Sequence, residues 1–175
     1  MSSRPVNARM IPSIFTLANL LFGFIALVLI LDRKFNLAAG MILLSVLMDS
    51  MDGKVARKLS VSSDFGKELD SLSDLVSFGV APAILVYSAF LRTTIGNWGI
   101  FLAAIFALCG AIRLARFNVL NISSYFVGVP ITFAGGFMAL LVFFSSVIPW
   151  ILYPICLALL AFLMVSTFHV PKLGK

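Results

Sequence analysis

Residues 10–31 read MIPSIFTLANLLFGFIALVLIL, 22 consecutive positions without a charged side chain. At 1.5 Å per residue, about 20 helical residues cross the ~30 Å hydrocarbon core of a bilayer, so this run is long enough to span one. It is too long for the apolar core of a signal peptide and lacks an evident small-residue cleavage site, so it is expected to stay as a helix. Composition extends the reading to the whole chain: 61% of residues are hydrophobic, 11% are charged and mean hydropathy is +1.10. Thirteen basic and seven acidic side chains among 175 residues cannot cover a soluble domain of that size. The bilayer is therefore the expected solvent.

The same ruler divides the chain into six spans, near 12–31, 35–57, 69–91, 97–113, 130–148 and 151–168. Residues 117–171 carry no charged side chain, and their 55 positions suffice for two spans, with Pro149 and Trp150 marking the tight outer turn between them. The expected fold is an all-α integral membrane bundle of six transmembrane helices, a single domain over residues 1–175, with residues 1–9 as a short interfacial arm. Basic residues set the orientation, because Lys and Arg in short loops stay on the cytoplasmic side. With the N-terminus inside, Arg4, Arg9, Lys54, Arg57, Lys58, Lys67, Arg113, Arg116, Lys172 and Lys175 are cytoplasmic, against Arg33, Lys34 and Arg92 outside. Trp98 and Trp150 then fall at outer ends, as belt residues do. The charge of +6 is scattered between apolar runs rather than gathered in a stripe, which argues against nucleic acid as a partner. Cys109 and Cys156 lie in separate apolar runs without metal-ligand or redox spacing and read as core residues.

Five of the seven acids are Asp49, Asp52, Glu68, Asp70 and Asp74, straddling the second and third spans. Asp49 and Asp52 are three apart and Asp70 and Asp74 four apart, so on helices each pair projects from one face. A short loop makes the two spans antiparallel, and their acidic faces can meet at similar depth. Carboxylates in a bilayer cost several kcal/mol each unless paired or hydrated, and all-oxygen ligands suit Mg²⁺, Mn²⁺ or Ca²⁺. A salt-bridge network with Lys54, Arg57 and Lys58, or solvated interfacial acids, is the bland alternative. Gly53, Ala56 and Gly66 leave room for a ligand beside the acids, although tight helix packing through small residues explains them equally well when they are taken alone.

The pattern Asp49-x-x-Asp52-Gly53-x-x-Ala56-Arg57, eight residues, Gly66-x-x-x-Asp70-x-x-x-Asp74 fixes eight residues over 26 positions. It resembles the motif of the CDP-alcohol phosphatidyltransferase family at every fixed position. The resemblance implies a homodimeric six-helix membrane enzyme with a polar cavity open to the cytoplasm. It also implies two divalent cations, Mg²⁺ or Mn²⁺ with Ca²⁺ as a possible substitute, held by Asp49, Asp52, Asp70 and Asp74. Asp74 would also be the general base. The donor would be CDP-diacylglycerol or an ether-linked CDP-archaeol counterpart, with Asp49, Asp52, Gly53, Ala56, Arg57, Gly66 and Asp70 at the CDP group and Thr16 and Asn19 on the nucleotide side.

The motif specifies the donor and leaves the acceptor open. Residues 4–7 and 11–20, Arg113-Leu114-Ala115-Arg116-Phe117-Asn118, Gly128-Val129-Pro130 and Met164-Val165-Ser166 resemble the branch of the family whose acceptor is L-serine. Arg113 and Arg116 are expected to clamp the serine carboxylate through bidentate hydrogen bonds, although anchoring of a helix end by positive charge accounts for both, and Asn118 is a further candidate. His169 reads as an interfacial residue. Glycerol 3-phosphate or an inositol phosphate is the competing acceptor. A cation transporter or channel is the competing class, but the outer halves of the spans are nearly all apolar, unlike a conduction path. A structural scaffold would tolerate acid-to-amide changes at Asp49 and Asp70.

Overall fold

The computed structural model describes residues 6–59, 64–120, 126–166 and 169–170, with side chains described over 14–51, 64–119 and 128–166. Among the described residues six helices form: α1 (Val6–Leu31), α2 (Phe35–Leu59), α3 (Asp64–Thr94), α4 (Asn97–Leu120), α5 (Ile131–Phe143) and α6 (Leu152–Val165). Strands β1 (Phe126–Val127) and β2 (His169–Val170) pair antiparallel, joining the segment before α5 to the segment after α6.

Three helices contain stretches long and apolar enough to cross a membrane: Ile14–Leu31, Asp64–Thr94 and Asn97–Val119. Phe35–Met51, Ile131–Phe143 and Leu152–Val165 are apolar but shorter. The outward face of α1 carries Ile14, Leu17, Leu21, Phe24, Val28 and Leu31, one every three or four residues, while Thr16, Asn19, Ala26 and Ile30 face inward. An apolar outer stripe opposite a partly polar inner one suits a helix solvated by lipid. The chain is a membrane protein.

Several boundaries differ from the sequence expectation. Residues 6–9 are helical and continuous with α1. The fifth helix ends at Phe143 instead of continuing to 148, and residues 144–151 form successive turns in place of a tight Pro149–Trp150 corner. Pro149 has no N–H for a helical ladder and disfavours helix at the residue before it, which keeps this apolar stretch open. At the α1–α2 junction, Arg33 adopts φ +58° while Lys34 N–H reaches Leu29 O at 2.9 Å and Arg33 N–H reaches Ile30 O at 3.0 Å. This is a Schellman cap with arginine where glycine is usual.

The third helix is the centre of the bundle and packs on all the others. Its core residues Phe78, Ala81, Leu85 and Val86 are fully buried. It changes hydrogen-bond register twice, over Leu75–Val80 and Tyr87–Leu91, where the wide π pattern appears in bonds such as Ala81 N–H to Val76 O and Arg92 N–H to Tyr87 O. Pro82, which cannot donate to the ladder, follows the first of these turns. The widened turn lies directly after Asp74 and carries buried Ser77 toward α1. There Gly23 admits the close approach, since a Cβ at that position would collide with Ser77. On the other side of α3, Gly135 of α5 lies against the backbone of Phe78 with the same lack of room.

Candidate functional site

The site is built where α1, α2 and α3 meet. Asn19, fully buried on α1, donates from Nδ2 to Asp74 Oδ1 at 3.1 Å. Its backbone carbonyl accepts from the Ser77 hydroxyl of α3 at 3.0 Å, and the Ser45 hydroxyl of α2 shares its one proton between this carbonyl and Met41 O, both at 3.2 Å. These contacts join the two acid-bearing helices to α1. Buried polar groups in an apolar bundle hold position firmly because losing a partner costs about 1–3 kcal/mol. Asn19 Oδ1 is buried and makes no hydrogen bond among the described residues. Thr16, one turn earlier on the same face, is also buried.

Against this support, Asp49 of α2 and Asp70 and Asp74 of α3 each bring one carboxylate oxygen within 4.8 Å of the others. At that distance and an effective dielectric near 20, each pair of charges repels by roughly 3–4 kcal/mol, so three pairs sum to on the order of 10 kcal/mol. That is comparable with the whole net stability of a typical domain, about 5–15 kcal/mol. The cluster favours positive charge beside it, and Arg113 supplies part of that through its electrostatic interaction with Asp74. Opposed oxygens around one cation lie about 4.2 Å apart for Mg²⁺ and about 5 Å for Ca²⁺, so the observed spacing and the all-oxygen donor set fit a hard divalent ion. Asp52, Gly53, Ala56 and Arg57 lie on the last turns of α2, and their side chains fall outside the described residues. Gly66 is in the first turn of α3, on the same helix as Asp70 and Asp74.

Beside the carboxylates opens a cavity of about 560 Å³ between α3, α4 and the start of α5. Asp64, Lys67, Glu68, Asp70, Ser71, Asp74, Arg113, Asn118 and Thr132 contribute its polar wall. Arg113 points into this wall with a buried Nε that has no hydrogen-bond partner among the described residues. Asn118 and Ser71 hydrogen-bond each other, and Asn118 Nδ2 also reaches both oxygens of Glu68 at 3.4 Å.

Arg116 does not join Arg113. Its Nη1 donates to Val165 O at 2.8 Å, and the side chain is absent from the cavity lining, so the expected two-arginine clamp is not what the structure assembles. Instead Arg116 ties α4 to the C-terminal end of α6, where the last carbonyls lack helical partners. The segment from Gly128 closes on the same point: Gly128 adopts φ +73°, a Cβ there would come within 2.7 Å of Met164 O, and Val129 N–H donates to Leu163 O at 3.2 Å. Three of the segments that carried the finer resemblance thus meet in one structural corner.

Sequence reasoning passed over Ser45, Ser77, Ser71 and Thr132, because single hydroxyls in apolar helices give no spacing signal. It also left Glu68 among the acids without a role.

A lipid-solvated helical bundle with a carboxylate cluster at the junction of two antiparallel helices, opening on a polar cavity, is a membrane protein whose acidic cluster could hold a hard cation. Comparison with known proteins narrows this. The profile of the CDP-alcohol phosphatidyltransferase family matches residues 9–168, and the chain belongs to that family. The CDP-diacylglycerol–serine O-phosphatidyltransferase of Methanocaldococcus jannaschii is 43% identical over 157 residues, covering 90% of this chain and 71% of that protein. The Bacillus subtilis enzyme of the same description is 38% identical over 170 residues, 94% of this chain and 92% of its own length. An archaetidylserine synthase of Methanothermobacter thermautotrophicus is 44% identical over 127 residues, 71% of this chain and 54% of that protein.

Proposed function

We propose that this chain transfers the phosphatidyl group, or its archaetidyl counterpart, from a CDP-linked lipid to the hydroxyl of L-serine. The observation that carries the reading is the convergence of Asp49, Asp70 and Asp74 beside a cavity walled by Arg113. The descriptions of the relatives, all naming serine transfer, support the acceptor. They also name two lipid types, and both donors present the same CDP head.

In this reading Asp49, Asp52, Asp70 and Asp74 hold two divalent cations, Mg²⁺ or Mn²⁺. When bound, these neutralise the pyrophosphate and stabilise the leaving CMP. The serine oxygen bonds to the lipid-bearing phosphorus as the phosphoanhydride bond to CMP breaks, and CMP leaves with the electron pair. Asp74 takes the serine hydroxyl proton, and the Asn19 amide fixes the plane of its carboxyl group. Arg113 receives the serine carboxylate, for which its buried Nε, without a hydrogen bond among the described residues, supplies a donor. Thr16 and Asn19 face the nucleotide side, with Gly53, Ala56, Arg57 and Gly66 around the CDP group.

All six helices cross the cytoplasmic membrane in this reading, with both termini and the cavity on the cytoplasmic side. Lys67, Arg113 and Arg116 lie toward the cavity end of their helices and Arg33, Lys34 and Arg92 toward the other, which supports that orientation. The chain functions as one domain and as a homodimer, the latter supported by the family resemblance.

The test is purified protein with CDP-diacylglycerol, Mg²⁺ or Mn²⁺ and labelled L-serine. Phosphatidylserine and CMP are the expected products. Consumption of glycerol 3-phosphate or an inositol phosphate with serine inert would overturn the acceptor and leave the family intact. Asp74→Asn should abolish turnover while donor binding persists, and unchanged turnover would remove Asp74 as the base.

A further inference from the structure

Glu68 lies outside the carboxylate cluster yet lines the same cavity. Resting on the serine reading above, we infer that Glu68 receives the ammonium group of the acceptor and is the residue that selects an amino alcohol over an anionic one.

Two features of its surroundings carry this. Asn118 Nδ2 spans both Glu68 oxygens, and Asn118 is itself held by the reciprocal hydrogen bond with Ser71, so the carboxylate is aimed by neutral groups that leave its charge intact. Lys67, which lines the same cavity, pairs with exposed Asp64 at 3.4 Å, and among the described residues Glu68 makes no ion pair. A negative charge facing a cavity, oriented but not neutralised, is suited to a cationic group.

Six residues along α3 put Glu68 about 9 Å nearer the helix start than Asp74 and about 120° round the helix, and both line the one cavity. Arg113 stands across the cavity on α4, so the carboxylate meets α4 while the ammonium and hydroxyl meet α3. A phosphorylated acceptor would bring its dianion against Glu68 and be repelled.

The experiment uses the full chain in detergent with CDP-diacylglycerol and Mn²⁺. Glu68→Gln should raise the KM for L-serine about tenfold, with kcat and donor KM changed less than threefold, whereas Glu68→Asp should retain most of the affinity. A serine KM unchanged in Glu68→Gln overturns the inference alone, while wild-type protein that uses glycerol 3-phosphate and ignores serine overturns the serine reading together with it. Competition on the wild type provides a check independent of any variant. Glycerate, which keeps the carboxylate and primary hydroxyl but lacks the ammonium, should compete with L-serine with an inhibition constant at least tenfold above the KM for L-serine. An inhibition constant equal to or below that KM overturns the assignment.

Discussion

Replacing Asp49 with asparagine should stabilise the metal-free protein and destabilise it relative to wild type once metal is present. Asp49 takes part in two of the three like-charge pairs in the cluster, all within 4.8 Å. Removing its charge deletes roughly 7 kcal/mol of Coulomb repulsion at an effective dielectric near 20. Weakening of the interaction Asp49 makes outside the cluster, side-chain relaxation, water in the cavity and proton uptake reduce this several-fold, to about 2 kcal/mol, or a rise of roughly 4–8 °C in unfolding midpoint for a chain of this length. Metal reverses the order. Wild-type protein gains about 2.7 kcal/mol when the ion is a hundredfold above its Kd, and the variant, lacking one ligand, gains far less. Thermal unfolding in detergent, with EDTA and then with excess Mg²⁺ or Mn²⁺, reads both effects. If Asp49→Asn melts below wild type in EDTA and keeps the full metal-induced shift, the carboxylates do not repel one another across a shared ion, and the reasoning is wrong.

Two further substitutions separate chemistry from scaffolding. Arg113→Lys should raise the KM for serine about tenfold without altering donor KM, because Lys lacks the planar fork that matches a carboxylate. Arg116→Gln should leave serine KM within twofold but lower the unfolding midpoint by roughly 2–4 °C, through loss of about 1 kcal/mol at the α4–α6 corner. Gly135→Ala should destabilise by about 1–3 kcal/mol, since its methyl group would meet the backbone of Phe78, which cannot move aside as a flexible side chain does. A midpoint within 1 °C of wild type would contradict that packing.

The six helices were readable because run length and charge placement report directly on bilayer immersion, and Asp49, Asp70 and Asp74 were readable because helical spacing fixes their faces. The π turns of α3 were not, since hydropathy is indifferent to whether a carbonyl bonds four or five residues ahead. Nor was the early end of α5, because residues 144–151 are as apolar as the helices they separate. Arg116 shows a further limit. Three residues from Arg113 it shares a helix face, but a long flexible side chain goes where an acceptor waits, and the open carbonyl of Val165 belongs to a helix nearly fifty residues away. The support of Asp74 by Asn19, Ser45 and Ser77 joins three helices through one backbone carbonyl, a contact that no local pattern encodes.

The most direct measurement of the central claim is Mn²⁺ binding followed by electron paramagnetic resonance in metal-free protein, comparing wild type with Asp49→Asn on α2 and Asp70→Asn on α3. Saturable binding to wild type, weakened at least tenfold by either substitution, is the result expected of two helices that hold an ion jointly. Equal Mn²⁺ affinity in all three proteins would contradict it.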